Sequence, residues 1–206
     1  LTISPGQYNG CHLQFAHATT LTINSGGSFT INPQTSVTVD NIVNNGSLTL
    51  ESYPNESGVA SLYHSNYSGA GTTVTRLYLS GGTTAEGNYK WHYISVPVNN
   101  VSATSFSTLD LAQYIENLVV NEENESGWVA YDGYRYSTEL ITGPTFSTLE
   151  LGKGYNYYSA SGSTFSLSGN LNIQGIEVPV TCGTGYPNSQ GFNLLGNPFA
   201  SCIDWD

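Results

Sequence analysis

The stretch Leu21-Thr-Ile-Asn-Ser-Gly-Gly-Ser-Phe-Thr-Ile-Asn-Pro-Gln-Thr-Ser-Val-Thr-Val39 repeats one short pattern three times. In each copy a threonine stands between two apolar residues, and polar turn formers follow the first two copies. Because side chains alternate between the two faces of a strand, both apolar residues lie on one face and threonine lies on the other. Similar copies occur at Leu1-Thr-Ile3 and Leu48-Thr-Leu50. The pattern predicts short β-strands joined by turns.

Two step sizes separate these copies. Ile23, Ile31 and Val39 follow one another in steps of 8 residues, whereas Leu1 and Leu21 are 20 residues apart. Steps nested in this way are typical of successive turns of about 20 residues that stack on one another. We therefore predict that residues 1–85 form a short parallel β-helix or β-roll. An antiparallel meander of hairpins is the alternative.

Residues 86–206 have longer apolar runs and more aromatic residues, and they are predicted to form a second, antiparallel β-sandwich-like domain. The glycine-rich stretch 81–87 is the predicted boundary. Apolar residues near a 3.6-residue spacing predict one helix at 108–118. Strands are predicted at 91–98, 128–131, 134–136, 154–159, 164–168, 176–180 and 192–195.

The last of these strands resembles the beginning of a further half-domain. We therefore expect the sandwich-like domain to be incomplete at its C-terminal end. We expect the remainder of a longer polypeptide, or another protein chain, to cover both ends of the chain. The absence of a starting methionine and of a leader segment is consistent with a processed fragment.

The composition restricts the partners. The chain has 206 residues and a net charge of −11, with only four basic residues. Such a surface repels phosphate, so nucleic acid is excluded as a partner. No run of about 18 apolar residues is present, which argues against membrane insertion. The chain is rich in Ser, Thr, Asn, Gly and Tyr, which is typical of extracellular β-proteins, so we expect an extracellular or cell-surface location.

Several motifs after residue 86 carry a family resemblance. They are Trp91-His-Tyr-Ile-Ser-Val-Pro-Val98, Gly127-Trp-Val-Ala-Tyr-Asp132, Leu151-Gly-Lys-Gly-Tyr155, Thr164-Phe-Ser-Leu-Ser-Gly169 and the terminal stretch from Gly191 to Asp206. Together they resemble modules of large secreted surface proteins of Bacteroidetes that the type IX secretion system exports. The resemblance implies a secreted surface protein, and it carries no catalytic residues.

Aromatic residues suggest where a ligand would bind. Exposed aromatic rings beside Asn and Asp can stack on sugar rings and bind their hydroxyl groups, which predicts a face that binds surface glycans. Strand alternation turns about half of these rings inward, so core packing is favoured over glycan binding as the role of the aromatic cluster as a whole. The candidate ligand-binding residues are Trp128, Tyr131, Asp132, Tyr134, Tyr155 and Tyr157.

Two further predictions concern cysteine and calcium. Cys182 and Cys202 are predicted to form a disulfide in an oxidising compartment, and free buried thiols are the alternative. No cofactor is predicted. The acidic loop 121–126 and the pair Asp204 and Asp206 offer oxygen ligands for Ca²⁺, but solvated acidic turns are favoured over a calcium site.

We expect a non-enzymatic structural or adhesive module of a larger secreted cell-surface protein. The alternative is a carbohydrate-binding module attached to a polysaccharide-degrading enzyme. A polysaccharide lyase is disfavoured because four basic residues leave little to neutralise a uronate.

Overall fold

The computed structural model describes residues 2–3, 6–10, 13–14, 19–54, 58–82, 90–106, 111–118, 127–132, 144–159, 161–183 and 190–203. Within these ranges the chain is all-β, and its only helical segments are the three-residue 3₁₀ turns η1 (Ala103–Ser105) and η2 (Glu116–Leu118). The strands are β1 (Thr2–Ile3), β2 (Gly6–Gly10), β3 (Leu13–Gln14), β4 (Thr20–Ile23), β5 (Gly27–Ile31), β6 (Ser36–Thr38), β7 (Asn41–Asn44), β8 (Ser47–Leu50), β9 (Ser61–Tyr63), β10 (Asn66–Ser68), β11 (Thr72–Leu79), β12 (Lys90–Ile94), β13 (Val101–Ser102), β14 (Leu111–Tyr114), β15 (Trp128–Ala130), β16 (Thr148–Leu149), β17 (Tyr155–Ser159) and β18 (Ser163–Ser168).

Strands three positions apart in sequence pair in parallel throughout the first part of the chain. One sheet has the order β1-β4-β7-β10, a second contains β2-β5-β8-β11, and a third is β3-β6-β9. The register aligns the repeated tripeptides, since Phe29 pairs with Leu48 and Leu21 pairs with Ile42. Hairpins would have paired consecutive strands in opposite directions, so the antiparallel meander is wrong for these strands.

The alternation predicted from the tripeptides is present in the burial of the strands. Along β5 every second residue from Gly27 to Ile31 is buried, and the side chains between them are partly exposed. Leu21, Ile31 and Leu48 are fully buried in this interior. The threonines face outward, which explains how so few charged residues suffice at the surface.

The second part contains a four-stranded antiparallel sheet of order β12-β17-β14-β15. Its inner face carries Tyr155, Tyr157 and Leu111, which are buried. The ring of Tyr157 lies 5.2 Å from that of Phe165 on β18 and 5.7 Å from that of Phe106. A separate two-stranded sheet joins β13 to β16.

Strand β18 leaves the second part and joins a sheet of the first. It pairs in antiparallel fashion with β11 over six residue pairs, from Val74 with Ser168 to Leu79 with Ser163. Most of the buried apolar residues from Leu21 to Leu171 accordingly form one cluster that spans both parts of the chain. The predicted boundary at residue 85 falls outside the described residues, and the division into two domains remains a prediction.

The helix predicted at 108–118 is wrong for its described residues. Leu111 to Tyr114 form strand β14, and Glu116 to Leu118 form the single turn η2. β14 lies between β17 and β15, and Leu111, Ala112 and Gln113 are all buried. A strand that is covered on both faces loses the apolar-polar alternation, and its apolar run then also fits a helical spacing.

Two predicted strands near the C-terminus are also absent. Residues 176–180 have no regular structure, and residues 192–195 contribute only a bridge between Leu195 and Lys153. The segment 190–203, which we call the C-terminal strap, is held by single backbone bonds. Gly154 N donates to Leu194 O (2.8 Å), and Leu62 N donates to Ala200 O (2.8 Å). Gly, Asn and Pro interrupt the strap before it can extend a ladder.

Candidate functional site

The outer face of the four-stranded sheet carries exposed aromatic side chains. On the edge strand β12, Trp91 and Tyr93 are two residues apart and point to the same face. Trp91 is 57% exposed and Tyr93 is 73% exposed. The register places Tyr158 opposite Trp91 and Asn156 opposite Tyr93 on this face. Large aromatic surfaces left open to water in this way are candidates for a binding site.

The rings of Tyr93 and Trp128 meet above the middle of the sheet. They belong to opposite edge strands, whose backbones are about 14 Å apart at the usual strand spacing. Their ring centroids are nevertheless only 6.2 Å apart and the planes are inclined by 11°. Both side chains therefore lean inward and cover the central strands. This arrangement accounts for the burial of Ala112 and Asn156, although both lie on the outer face.

These rings bound a cleft of about 320 Å³. Tyr114 packs edge-on against Trp128 at a centroid distance of 5.2 Å. The C-terminal strap forms the opposite wall. We name this site the aromatic cleft, and its lining residues are Tyr93, Tyr114, Trp128, Phe192, Asn193 and Leu194.

A buried carboxylate anchors the strap beside the cleft. Glu116, directly after β14, accepts hydrogen bonds at Oε1 from the backbone N–H groups of Gly191 (2.6 Å) and Gly183 (2.7 Å). Its second oxygen, Oε2, is buried and has no hydrogen-bond partner within the described structure. Asn193 Nδ2 donates to Thr181 O (2.8 Å), before the strap, and to Gly191 O (3.1 Å), within it. These bonds fix the conformation of the strap around Phe192. Glu116 therefore positions Phe192 at the wall of the cleft.

The hydrogen bonds to Glu116 favour its charged form. The Gly191 N–H lowers the pKa of the carboxyl most, the Thr181 side chain lowers it further, desolvation opposes them, and the Gly183 N–H lowers it again. The same charge acts on the cleft. The pKa of Tyr114 is raised first by burial and second by the nearby Glu116 carboxylate. Tyr114 is therefore a neutral hydroxyl at physiological pH, in a region of negative potential.

We predict that the amide proton shifts of Gly183 and Gly191 titrate in acid, with a midpoint below that of an ordinary glutamate. Because the folded pKa is depressed, the stabilising contribution of Glu116 is present above the unfolded pKa. It is lost as the pH falls through the lower folded pKa. Glu116→Gln keeps an acceptor oxygen but loses the charge, so both amide shifts should become independent of pH in this range.

Two-dimensional NMR measures these shifts in both proteins. Glu177→Gln, which changes an exposed glutamate, is the matched control and should leave the titration intact. A midpoint at or above the ordinary glutamate value would contradict the anchoring role of Glu116.

The structure gathers only part of the predicted binding residues into the cleft. Trp128 lines it, and Asp132 is exposed beyond the end of β15. Tyr131 is partly buried and packs against the core. Tyr134 lies outside the described residues.

Tyr155 and Tyr157 were wrong as surface ligand residues. Both point to the inner face of β17 and are buried. Tyr155 accepts a hydrogen bond at its hydroxyl from Glu150 N (2.8 Å), and burial raises its pKa to about 12. The run Tyr155-Asn-Tyr-Tyr158 places aromatic residues on both faces of the strand. Which of them point inward could not be predicted before the strand pairing was known.

Five cleft residues were missed from the sequence: the aromatic residues Tyr93, Tyr114 and Phe192, together with Asn193 and Leu194. Tyr93 had a usable signal, because Trp91 and Tyr93 alternate with His92 along one strand. Tyr114 was concealed by its assignment to a helix. Phe192 was concealed by its assignment to a core strand, whereas it is exposed.

The predicted disulfide is absent, because Cys182 and Cys202 are both free and exposed. Cys182 lies beside Gly191 near the Glu116 anchor. Cys202 instead lines a cavity of about 500 Å³ between β9 and the end of the strap. The two thiols therefore lie in different parts of the fold, Cys182 before the strap and Cys202 near its end. His64 lines the same cavity as Cys202, and burial lowers its pKa to about 4.

Within the described ranges, no three His, Cys, Asp or Glu side chains are grouped as they would be to hold a metal ion. The acidic loop 121–126 and the pair Asp204 and Asp206 lie outside those ranges. The described part of the chain also contains no helix long and apolar enough to cross a membrane.

The fold and the cleft define an all-β protein with an aromatic site on the open face of one sheet. The family model described as "Domain of unknown function (DUF8693)" matches residues 6–206, so the chain belongs to this family. No curated protein and no solved structure matches the chain.

Proposed function

We propose that this chain is a non-enzymatic adhesive module that binds glycans at the aromatic cleft. The observation that carries the proposal is the stacked pair of Tyr93 and Trp128 on an open sheet face, 6.2 Å apart and walled by Phe192. Flat aromatic rings fit the C–H face of a pyranose ring. A sugar would replace the water that now covers these rings.

The chemistry of the lining favours a sugar over a purely apolar ligand. Tyr93 and Tyr114 carry hydroxyl groups and Trp128 carries an indole N–H, so three of the rings have an apolar body and a polar tip. Sugars present the complementary combination of apolar ring faces and hydroxyl edges. A groove for an aliphatic ligand would instead be lined mainly by Leu, Ile and Val.

The same lining supports a binding role without catalysis. Among the residues that the structure describes, none that lines the cleft is Asp, Glu, His, Cys, Lys or Arg. Bond cleavage in a glycan usually needs a pair of carboxyl groups beside the scissile bond. The described lining offers hydroxyl and indole groups to a ligand, which can bind and orient it.

The proposed setting is a longer protein at the cell surface. Support comes from the low content of charged residues, 9%, and from the resemblance to type IX secreted proteins of Bacteroidetes. The net charge of −11 opposes binding to nucleic acid. We propose that the rest of that longer polypeptide, or another chain, is the protein partner.

For the architecture we propose a short parallel β-helix followed by a β-sandwich-like unit. The parallel pairing of strands three positions apart supports the first assignment. The packing of Tyr157 on the inner face of one sheet against Phe165 of another sheet supports the second. In this arrangement the β-helix is a rigid support that presents the aromatic face.

A carbohydrate-binding module of a polysaccharide-degrading enzyme is the second candidate. The cleft favours it as well, since such a module also needs a non-catalytic site for sugar chains. The two candidates differ in what the longer polypeptide carries, namely an enzyme domain or further adhesive modules.

Glycan-array binding tests the proposed site with Tyr93→Ala and Trp128→Ala. We expect each variant to weaken binding by about tenfold or more, because each removes one ring of the stacked pair. Tyr93 is the cleaner position, since its exposure leaves the fold little affected by truncation.

The matched control is Tyr63→Ala, which removes another exposed tyrosine ring, on β9 and away from the cleft. It should bind like the wild type. Unchanged binding in folded Tyr93→Ala and Trp128→Ala proteins would place the site elsewhere, and no binding to any glycan would refute the adhesive proposal.

A further inference from the structure

We propose that the ligand is an extended, uncharged polysaccharide that contacts the aromatic cleft and a second aromatic group at the same time, an inference that rests on the proposed glycan-binding function. The second group is formed by Trp91 and Tyr158, which we call the Trp91 pair. A terminal sugar would need only one of the two groups.

The Trp91 pair lies on the same face as the cleft. The rings of Trp91 and Tyr158 are 4.5 Å apart and inclined by 54°. They occupy adjacent strands, in register with each other. Trp91 and Tyr93 are separated along β12 by about 6.5 Å, the rise of two strand residues. This distance is comparable to the length of one sugar residue, so consecutive residues of a chain could contact both groups.

A buried polar atom lies between the two aromatic groups. Asn156 pairs with Tyr93 across the strands and precedes Tyr158 by two residues on the same face. Its side chain is 5% exposed, and its Oδ1 has no hydrogen-bond partner in the described structure. Buried acceptors in proteins almost always have a donor. A hydroxyl group of a bound chain, entering beside the exposed Tyr93 ring, would supply that donor.

Charge selects against acidic polysaccharides. The chain has four basic residues against fifteen acidic ones, and no basic residue lines the described part of the cleft. The Glu116 carboxylate adds a negative charge beside Tyr114, whose pKa is raised first by burial and second by this charge. A uronate or sulfate group would meet this charge without a counter-charge. Neutral glucans, mannans and xylans carry no such cost.

Calorimetric titration with sugars of different length tests the proposal. The probes are the hexasaccharides of β-1,4-glucan, β-1,3-glucan, mannan and xylan and the corresponding monosaccharides, with oligogalacturonate as the acidic probe. For the neutral series that binds, we expect the hexasaccharide to bind at least about tenfold tighter than the monosaccharide. Trp91→Ala should remove most of this gain by weakening the hexasaccharide far more than the monosaccharide, whereas Tyr93→Ala should weaken both. Tyr63→Ala is the control and should change neither.

The outcomes separate this inference from the proposed function. Equal affinity for both lengths, or a Trp91→Ala protein that keeps the full gain, overturns the extended-chain inference and leaves the glycan site in place. Preference for oligogalacturonate overturns the uncharged ligand. Absence of binding to every sugar, or a wild-type dimer that Tyr93→Ala converts to monomer in light scattering, refutes the glycan site itself and the inference with it.

Discussion

Replacing Gly46 with alanine is expected to destabilise the protein by about 3 kcal/mol or more. A Cβ atom at this position would collide with the backbone oxygen of Gly27 and lie 2.6 Å from that of Asn24. Both atoms belong to the start of β5 and the link before it, which cannot move without disturbing the strands paired in parallel with β8. The close approach of these segments therefore requires the smallest residue at the connection between β7 and β8. Chemical denaturation monitored by circular dichroism would measure the loss.

Gly175→Ala provides the matched control. A Cβ atom at Gly175 would meet no atom within 4 Å. The substitution should therefore change stability by no more than about 0.5 kcal/mol. If Gly46→Ala were as stable as Gly175→Ala, the close approach of these segments at the connection between β7 and β8 would be wrong.

The second large effect is expected for Asn44→Ala, at about 3 kcal/mol. Asn44 is fully buried. Its Nδ2 donates to Tyr67 Oη and Thr72 O, each at 3.0 Å, and its Oδ1 accepts from Gly46 N at 3.1 Å. Alanine would remove all three hydrogen bonds from this buried position, and Tyr67 Oη would keep only its bond to Thr73 Oγ1 (2.6 Å). A buried group that loses its hydrogen bond costs far more than an exposed one.

Asn45→Ala is the control for this site, since the neighbouring asparagine is exposed. It should remain near wild-type stability. Thermal denaturation of both variants tests the contrast, and equal melting temperatures would show that the side chain of Asn44 does not hold the connection between β7 and β8. Asn44→Asp should also destabilise, because a carboxylate cannot donate to Thr72 O.

These two predictions concern the parallel sheets of the first part of the chain, whereas the proposed ligand binding depends on the second part. Asn44 and Gly46 hold the parallel sheets in register at the connection between β7 and β8. Strand β18 links those sheets to the second part through its pairing with β11. Phe165 on β18 then contacts Tyr157 on the inner face of the four-stranded sheet. The outer face is left to Trp91 and Tyr93. Variants at Gly46 or Asn44 should therefore reduce binding only to the extent that they unfold the protein.

Local pattern was sufficient to predict the first part of the fold. Each tripeptide such as Phe29-Thr-Ile31 has its period-2 alternation in the sequence itself, and the structure buries the same residues that the pattern selects. The parallel pairing followed from the repeat length, which is too long for a hairpin and suits a turn that returns above itself. The outward direction of Trp91 and Tyr93 could also have been read from their alternation.

Pairing between distant segments decided the rest. β14 is a strand because β15 and β17 cover both its edges, and its own residues fit a helical spacing equally well. The aromatic cleft forms because Tyr93 and Trp128, 35 positions apart in sequence, lean toward each other across four strands. Glu116 binds the backbone N–H of Gly183, 67 positions away, and that of Gly191 in the strap, 75 positions away. No side-chain pattern in the sequence predicts these contacts. By itself the sequence determined which segments alternate and where they turn, because those properties depend on neighbouring residues. Which faces became core and which became the site depended on long-range packing, and only the tertiary structure decided it.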